Sequence, residues 1–341
     1  VLVTYDNLTT SVFLAYGQVL PQLEAATHRR WLLSPAAEVR TADLHSFHAV
    51  ISMRGISAAS LAVLRAAAQA GCRTVYDLDD NLLLLDQMIP DPGHPWRRTF
   101  DAARPEIEAQ LALADVVKVY SPAAIPSFRR YNPRVVAIPA CQIIDRPEPP
   151  AREATSPVTV GFLGSYYKDD ELAPVIPAIL RLLAEGAPLR FEFFGFLPKA
   201  LEGNPAISHL PWRSSYEEYR RALAALDWEI GLAPLRDLEF NRAKSNNKYR
   251  EYAAAGIAGI YSDVAIYRDS VADRRTGLLV PHASPEAWYA AILELATDAG
   301  LRRSIQRNAF ADVRANYRPE EYVARVAALL AGPWPPPAAP A

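Results

Sequence analysis

The sequence predicts an α/β protein built from two doubly wound, Rossmann-like domains facing a cleft. Three observations carry that expectation. Short apolar runs alternate with helix-forming segments along most of the 341 residues, the order of a parallel sheet covered by helices. A proline-rich polar stretch at residues 147–157, PEPPAREATSP, interrupts the alternation, which then restarts. In the second half, lysines rather than acids flank the start of one helix. With half of its residues hydrophobic, a chain of this length can bury two separate cores.

The first domain is expected over residues 1–146. Apolar runs predict strands at 1–5, 30–33, 49–53, 74–78, 116–120 and 135–138. Mixed or alanine-rich segments between them predict helices at 11–25, 56–70, 97–114 and 122–131, the second stopped by Gly71. After the 147–157 linker, the second domain is expected over 158–318. Its strands fall at 158–163, 189–194, 207–210, 228–233 and 257–261. Its helices fall at 171–184, 216–226, 285–296 and 301–315, with one more starting at Ser245 or Asn246 and stopped by Gly256. A last helix is expected at 319–331, and the Pro/Ala-rich tail 332–341 is expected to be disordered. No internal repeat of solenoid type is present.

Composition removes several function classes. A net charge of −2 argues against a nucleic-acid partner, which calls for a strong basic excess. Cys72 and Cys141 are too few for a disulfide framework, have no metal-type spacing, and suit a reducing compartment. No apolar run approaches the length of a membrane span, and no charged-then-apolar leader opens the sequence. A soluble, cytoplasmic protein is expected.

The most informative stretch is Phe240 to Ser262, FNRAKSNNKYREYAAAGIAGIYS. Ser245, Asn246 and Asn247 are good N-cap residues, and Lys244 and Lys248 flank the helix start they define. The helix dipole is already positive there and favours anions. Amide groups, dipole and two ammonium groups on one spot would seat a phosphate or diphosphate. Glu251 lies one turn beyond Lys248 and on its side, where a carboxylate could accept hydrogen bonds from sugar hydroxyls. A solvated Lys248–Glu251 surface pair is the plainer alternative.

The stretch resembles the donor-binding helix of GT-B glycosyltransferases, particularly the family-4-like enzymes of surface-polysaccharide and O-antigen synthesis. The shared pattern is a lysine, a Glu-Tyr-small-Ala-x-Gly helix and an apolar strand, continuing through Tyr267 and Thr276-Gly-Leu-Leu-Val280. The resemblance implies a GT-B fold whose final helix crosses back to the first domain. It implies a hexosyltransferase moving a sugar from a nucleotide diphosphate sugar to a glycan or lipid-linked glycan, with retention of configuration. The donor is then substrate rather than cofactor, and no metal site is called for. Lys244, Lys248 and Lys168 would stabilise the leaving diphosphate, and Glu251 would hold ribose or sugar hydroxyls. One departure is plain: many family-4 enzymes carry a second glutamate eight residues earlier, and here that position is Ala243.

Other candidates follow strands and so would face the cleft. Gly164, Ser165, Tyr166 and Lys168 follow the first strand of the second domain, where glycine lets backbone approach a phosphate, although a tight turn explains the glycine equally well. Phe196 and Trp212 follow the next two strands and could stack on a nucleobase, or Trp212 could simply cover a helix start. The loop 234–241 matches the family's sugar-facing loop. Asp77, Asp79 and Asp80 end a strand of the first domain. Asp79 or Asp80 could serve as general base toward the acceptor, and Asp80 could instead cap a turn. A rival reading makes the three acids a divalent-cation site of the other glycosyltransferase fold. Arg29-Arg30-Trp31, Trp96-Arg97-Arg98 and Arg129-Arg130-Tyr131 could hold the first domain against an anionic membrane. The alternatives to a transferase are a sugar-nucleotide epimerase of the same architecture and a non-catalytic glycan-binding or scaffold domain.

Overall fold

A computed structural model describes residues 1–7, 9–150, 156–165, 168–213 and 215–332. The first part of the chain runs β1 (Leu2–Tyr5), α1 (Thr10–Ala15), α2 (Leu20–Thr27), β2 (Leu32–Pro35), β3 (Ala49–Met53) and α3 (Ala58–Gln69). It continues β4 (Arg73–Asp77), α4 (Pro95–Ala102), α5 (Arg104–Leu113), β5 (Val116–Val119), α6 (Ile125–Arg129) and β6 (Val135–Ala137). Then come β7 (Val158–Gly164), α7 (Asp169–Leu172), α8 (Val175–Ala184), β8 (Leu189–Gly195), β9 (Ile207–Leu210), α9 (Tyr216–Ala225) and β10 (Ile230–Ala233). The last part is α10 (Glu239–Arg242), α11 (Asn247–Ala254), β11 (Ala258–Ser262), α12 (Ala265–Arg268), β12 (Leu278–Val280), α13 (Pro285–Thr297), α14 (Ala299–Asn316) and α15 (Pro319–Ala331).

Among the described residues these elements form two six-stranded sheets, ordered β2-β1-β3-β4-β5-β6 and β12-β11-β10-β7-β8-β9. Every pairing is parallel, so each strand pair needs a crossover, which helices supply except between β8 and β9, where a loop with one 3₁₀ turn at Lys199–Leu201 does so. The chain divides into two compact units. The first holds Val1–Cys141, Leu238–Ser245 and α15, and the second holds Gln142–Asp237 and Asn246–Arg318. The placement of Leu238–Ser245 differs from the sequence expectation, which kept it in the second domain. Phe240 explains it: the ring is buried with Leu85 and Ile89 of the first unit, and its amide donates to Gln87 Oε1 at 3.0 Å.

Three helices expected as single rods are each divided, and prolines account for all three. The predicted 11–25 helix is α1 and α2, separated by a 3₁₀ turn at Gly17–Val19, with Pro21 in the first turn of α2. The predicted 97–114 helix breaks at Ala103, with Pro105 opening α5, and Pro174 separates α7 from α8. Proline lacks the N–H that would continue a helix and is accommodated in a first turn. Ser57 caps α3, its Oγ accepting from Ser60 N at 3.1 Å.

The carboxyl end of the first sheet conceals a charge pair. Asp77 on β4 and Lys118 on β5 are register partners, both side chains are 0% exposed, and Nζ lies 3.0 Å from Oδ2. Tyr16 also donates to Asp77, and Lys118 Nζ sits 3.7 Å from the centre of the Tyr120 ring. Burial pushes the Asp77 carboxyl above its usual range, while Lys118 and Tyr16 oppose the rise. The sequence expectation set Asp77 at a solvent-facing strand end. The structure instead spends it on a lysine in the core.

Removing one member of such a pair strands the other. Lys118→Met is therefore expected to cost about 3–5 kcal/mol in urea unfolding at neutral pH. A carboxyl whose folded pKa is raised favours the folded state less as pH rises through the window between its unfolded and folded values. Because the variant raises it further, the deficit relative to the parent should shrink as pH is lowered. A deficit independent of pH would show that the loss is one of packing.

Candidate functional site

In the second sheet β7 and β10 are neighbours, and the order runs outward in opposite directions from them. Ligands of open parallel sheets bind outside the carboxyl ends of the strands at such a reversal. The loops there begin at Ser165 after β7 and at Pro234 after β10, and α11 follows β10. Two glycines let α11 and its neighbours lie close. A Cβ on Gly161 would stand 1.9 Å from the Trp228 ring, and one on Gly231 would stand 2.7 Å from the Tyr252 ring. Tyr252 on α11 is fully buried and donates to the Leu232 carbonyl at 2.8 Å, so the helix is pinned to β10 at a fixed height.

The start of α11 carries no acid in its first turn, and the Asn246 side chain does not cap it. That side chain is used elsewhere. Its nitrogen donates to Ser270 Oγ and Tyr317 OH, both at 2.8 Å, and its oxygen accepts from Arg250 Nε at 3.0 Å. Arg250, buried at 1% exposure, also reaches the Asn247 side chain. Asn246 and Asn247, expected as ligand contacts, are thus held by a buried arginine that shapes the helix start. Ser245 closes the first unit's segment, immediately before this start.

Lys248 and Lys168 each approach the carboxyl end of β7, one at Phe162 and the other at Gly164. Lys248 Nζ lies 5.6 Å from the centre of Phe162. A Cβ on Gly164 would lie 2.8 Å from that same ring and 3.4 Å from Lys168 Cγ. The missing side chain at Gly164 therefore leaves room beside the Phe162 ring and Lys168. With the dipole of α11, the two lysines concentrate positive potential at the end of β7. Ser165 follows, exposed; Tyr166 lies outside the described residues.

Glu251 is 8% exposed, which removes the picture of a solvated surface carboxylate. Tyr219 on α9 donates to its Oε2 at 2.8 Å. Burial raises the Glu251 carboxyl above its usual range, with the Tyr219 hydrogen bond, Arg250 and Lys248 pulling the other way. A small pocket of about 130 Å³ opens on Glu251, lined by Tyr216, Tyr219 and Ile144 among others. Such a carboxylate keeps one oxygen for a hydroxyl donor.

At the ends of β8 and β9, Gly195 adopts φ +94° and a Cβ there would meet the Gly164 carbonyl at 2.4 Å and Trp212 at 3.0 Å. Phe196 N donates to the same Gly164 carbonyl at 2.9 Å. Gly164, Phe196 and Trp212, expected from three separate loops, thus meet around one glycine. Trp212 packs on it yet keeps 42% of its surface exposed.

Lys244 and the aspartates lie in the first unit. Lys244 precedes α11 by three residues and bonds Asp80 Oδ1 at 2.7 Å. Arg54 bonds Asp80 Oδ2 at 2.8 Å and also reaches Asp79. Although burial favours the neutral acid, Lys244 and then Arg54 hold the Asp80 carboxyl well below the usual carboxylate range. A carboxylate so stabilised is a weak proton acceptor. Among the described residues no group of three acids, histidines or cysteines is arranged to hold a metal ion. The reversal point of this sheet lies between β1 and β3. Asp6, just beyond β1, already fills the helix end there, accepting from Ile56 N at 2.6 Å, Ser57 N at 3.0 Å and Ser60 Oγ at 2.5 Å.

Sequence reasoning missed Tyr219 and Arg250, and it identified no single contact within the loop 234–241 after β10. In that loop Leu235 N donates to Ser262 Oγ at 2.8 Å, and Arg236 N donates to the buried Glu171 at 2.5 Å. His282 Nδ1 lies 3.2 Å from the same Ser262 hydroxyl. Of these, only the i,i+4 spacing of Asn246 and Arg250 was a signal in the sequence.

Residues 157–298 match a family model described as glycosyl transferases group 1. No curated protein sequence matches the chain. Among solved structures the chain is similar to TarM of S. aureus, with a TM-score of 0.65 at 12% identity. That alignment covers 83% of this chain and 55% of TarM, so the chain spans about half of that protein's length. It is similar to Anabaena HepE, determined in complex with UDP and glucose, with a TM-score of 0.66 at 12% identity over 97% of this chain and 99% of that one. Sucrose-phosphate synthase from Thermosynechococcus elongatus aligns at a TM-score of 0.62 and 15% identity, over 94% and 78%. The fold is that of GT-B glycosyltransferase structures, two parallel-sheet Rossmann-like domains. The matched segment contains Gly164, Lys168, Lys248 and Glu251.

A buried carboxylate kept for a ligand should cost the protein stability. Because its folded pKa is raised, Glu251 contributes least at high pH, and stability falls as pH rises through the window above its unfolded value. Glu251→Gln keeps an acceptor for Tyr219 and removes the charge. Urea midpoints should show the variant at least as stable as the parent at pH 8, with the difference narrowing at low pH. A loss above about 1 kcal/mol at pH 8 would make Glu251 a structural residue.

Proposed function

We propose that the protein is a GT-B glycosyltransferase of the family-4-like, surface-polysaccharide type. It would move a hexosyl group from a nucleotide diphosphate sugar to a hydroxyl of a glycan or lipid-linked glycan. The observation that carries this reading is the placement of Lys248, at the start of α11, against Phe162 and of Lys168 against Gly164 at the end of the same strand, within the segment that matches the glycosyl transferase family. Two ammonium groups and a helix dipole at a sheet's reversal point suit the charge that develops on a diphosphate as the glycosidic bond breaks. UDP as the nucleotide is favoured by the fold's likeness to HepE, whose structures hold UDP.

On this reading Glu251, oriented by Tyr219, accepts hydrogen bonds from ribose or sugar hydroxyls, and Trp212 offers an exposed face for the base. Asp79, held by Arg54, and Asp80, held by Arg54 and Lys244, orient an acceptor hydroxyl by hydrogen bonding; the depressed basicity of Asp80 speaks against full proton abstraction by that residue. Charge on the leaving group is met by lysines, which makes the reaction metal-independent, and the family likeness favours retention. Trp96 is 51% exposed beside Arg97 and Arg98 and supports peripheral contact with an anionic membrane from the cytoplasmic side. Trp31 is buried and does not contribute to such a face. Among the described residues no helix is long and apolar enough to cross a membrane.

Lys248→Ala should weaken UDP binding at least tenfold in calorimetry, since a charge-assisted contact to phosphate contributes about 1.5–3 kcal/mol. Unchanged affinity would remove the central support of this reading. Sugar transfer should also survive EDTA. Complete loss restored by manganese or magnesium would return the acids of the first unit to consideration as a cation site.

A further inference from the structure

We propose that a groove along α14 in the second unit binds an anionic glycan chain, a subsite for the acceptor or product polymer away from the reacting end. This rests on the glycosyltransferase reading above. The groove has a volume of about 830 Å³ and lies between α14 and the proline strap at residues 147–150. Its lining includes Arg303, Arg307, Arg314 and Arg318 against a single acid, Glu148. All four arginines are exposed. Arg314 donates to the Pro147 carbonyl at 2.9 Å, which fixes the strap to the helix. Arg303, Arg307 and Arg318 have neither hydrogen bond nor ion pair with any described residue.

The helix could have neutralised this row and does not. Its nearest acid, Asp312, is turned to the other side, where it accepts from Tyr249 OH at 2.6 Å and Asn316 Nδ2 at 2.9 Å. Ala311 and Ala315 line the groove among the arginines and keep its floor low, above the buried Phe310. From Arg303 to Arg314 the row extends about 16 Å at 1.5 Å per residue, too long for one small anion. Guanidinium groups pair with carboxylate, sulfate or phosphate through two parallel hydrogen bonds, so a polymer bearing such groups at intervals fits the row. The large exposed apolar side chains, Phe13, Leu32, Trp96, Leu180 and Trp212, all lie elsewhere. A bilayer would use such groups for insertion, and a single-stranded nucleic acid would stack on them, so the groove favours a glycan over both. Holding the polymer by an internal segment raises the effective concentration of its reacting end.

The test is binding of hexagalacturonate, with neutral maltohexaose and digalacturonate for comparison, by calorimetry at physiological salt. The parent protein should bind the acidic hexamer, at least tenfold tighter than the acidic dimer, and bind the neutral hexamer not at all. Arg303→Gln with Arg307→Gln and Arg318→Gln should weaken the hexamer at least tenfold and leave UDP affinity unchanged. These three side chains make no hydrogen bond or ion pair with a described residue, so the variant should keep the parent's melting temperature. No binding of the hexamer by the parent, or equal binding by the variant, overturns the proposal. So does arginine-dependent binding of phosphatidylglycerol vesicles that exceeds any binding of the hexamer. Loss of UDP binding in the parent would count against the glycosyltransferase reading and leave the anion groove to be judged by the hexamer alone.

Discussion

The second unit's candidate site depends on how close α11 can come to its sheet. Tyr252 and Trp228 lie where side chains on Gly231 and Gly161 would otherwise stand, and the tyrosine hydroxyl closes the contact on the Leu232 carbonyl. That contact sets the height of every residue on the helix. Lys248 therefore reaches the Phe162 ring, and Glu251 reaches Tyr219. A methyl group on either glycine would lift the aromatic ring and move both charged side chains with it, since a packed interior has no slack to absorb the change.

Much of the fold was legible because it is written in short-range pattern. Apolar runs marked eleven of the twelve described strands, β12 excepted, whereas the change of unit comes after Cys141, ahead of the proline-rich segment expected to mark it. The helix boundaries that slipped did so at prolines, where apolar periodicity continued through residues that cannot continue a helix, as at Pro21, Pro105 and Pro174. Lys248 stood out for a different reason, a lysine where a bland helix start would place an acid; Glu251 stood out by lying one turn beyond it, and Gly164 by its position after the first strand of the second domain. Tyr219 did not stand out, because its partner lies thirty-two residues away and no spacing rule links a helix on one side of a strand to a helix on the other. Arg250 was given no role from the sequence, and packing shows it buried at the helix start.

Lys244 shows the limit of reading charge from a line of text. Four residues separate it from Lys248, and a helix through both would set them on one face. The chain instead ends a short helix at Arg242 and starts the next at Asn247, and Phe240 anchors the intervening piece in the first unit. A core contact four positions away, apolar and unrelated to phosphate chemistry, decides that Lys244 meets Asp80. The same segment explains how Ala243 is tolerated, since that position is a buried core site of the first unit and would be costly for a carboxylate.

The carboxylate of Asp6 has a consequence for stoichiometry. Two parallel sheets of related design each present a helix end at a reversal point, and in principle each could receive a phosphate. In the first sheet the chain supplies its own anion, tethered by covalent structure and already bonded to two backbone amides and a serine hydroxyl. A free phosphate would have to displace a group whose local concentration no solution can match. Duplicated architecture therefore gives asymmetric occupancy: on the proposed reading, one equivalent of nucleotide saturates one chain, and the surplus helix end is silenced from within.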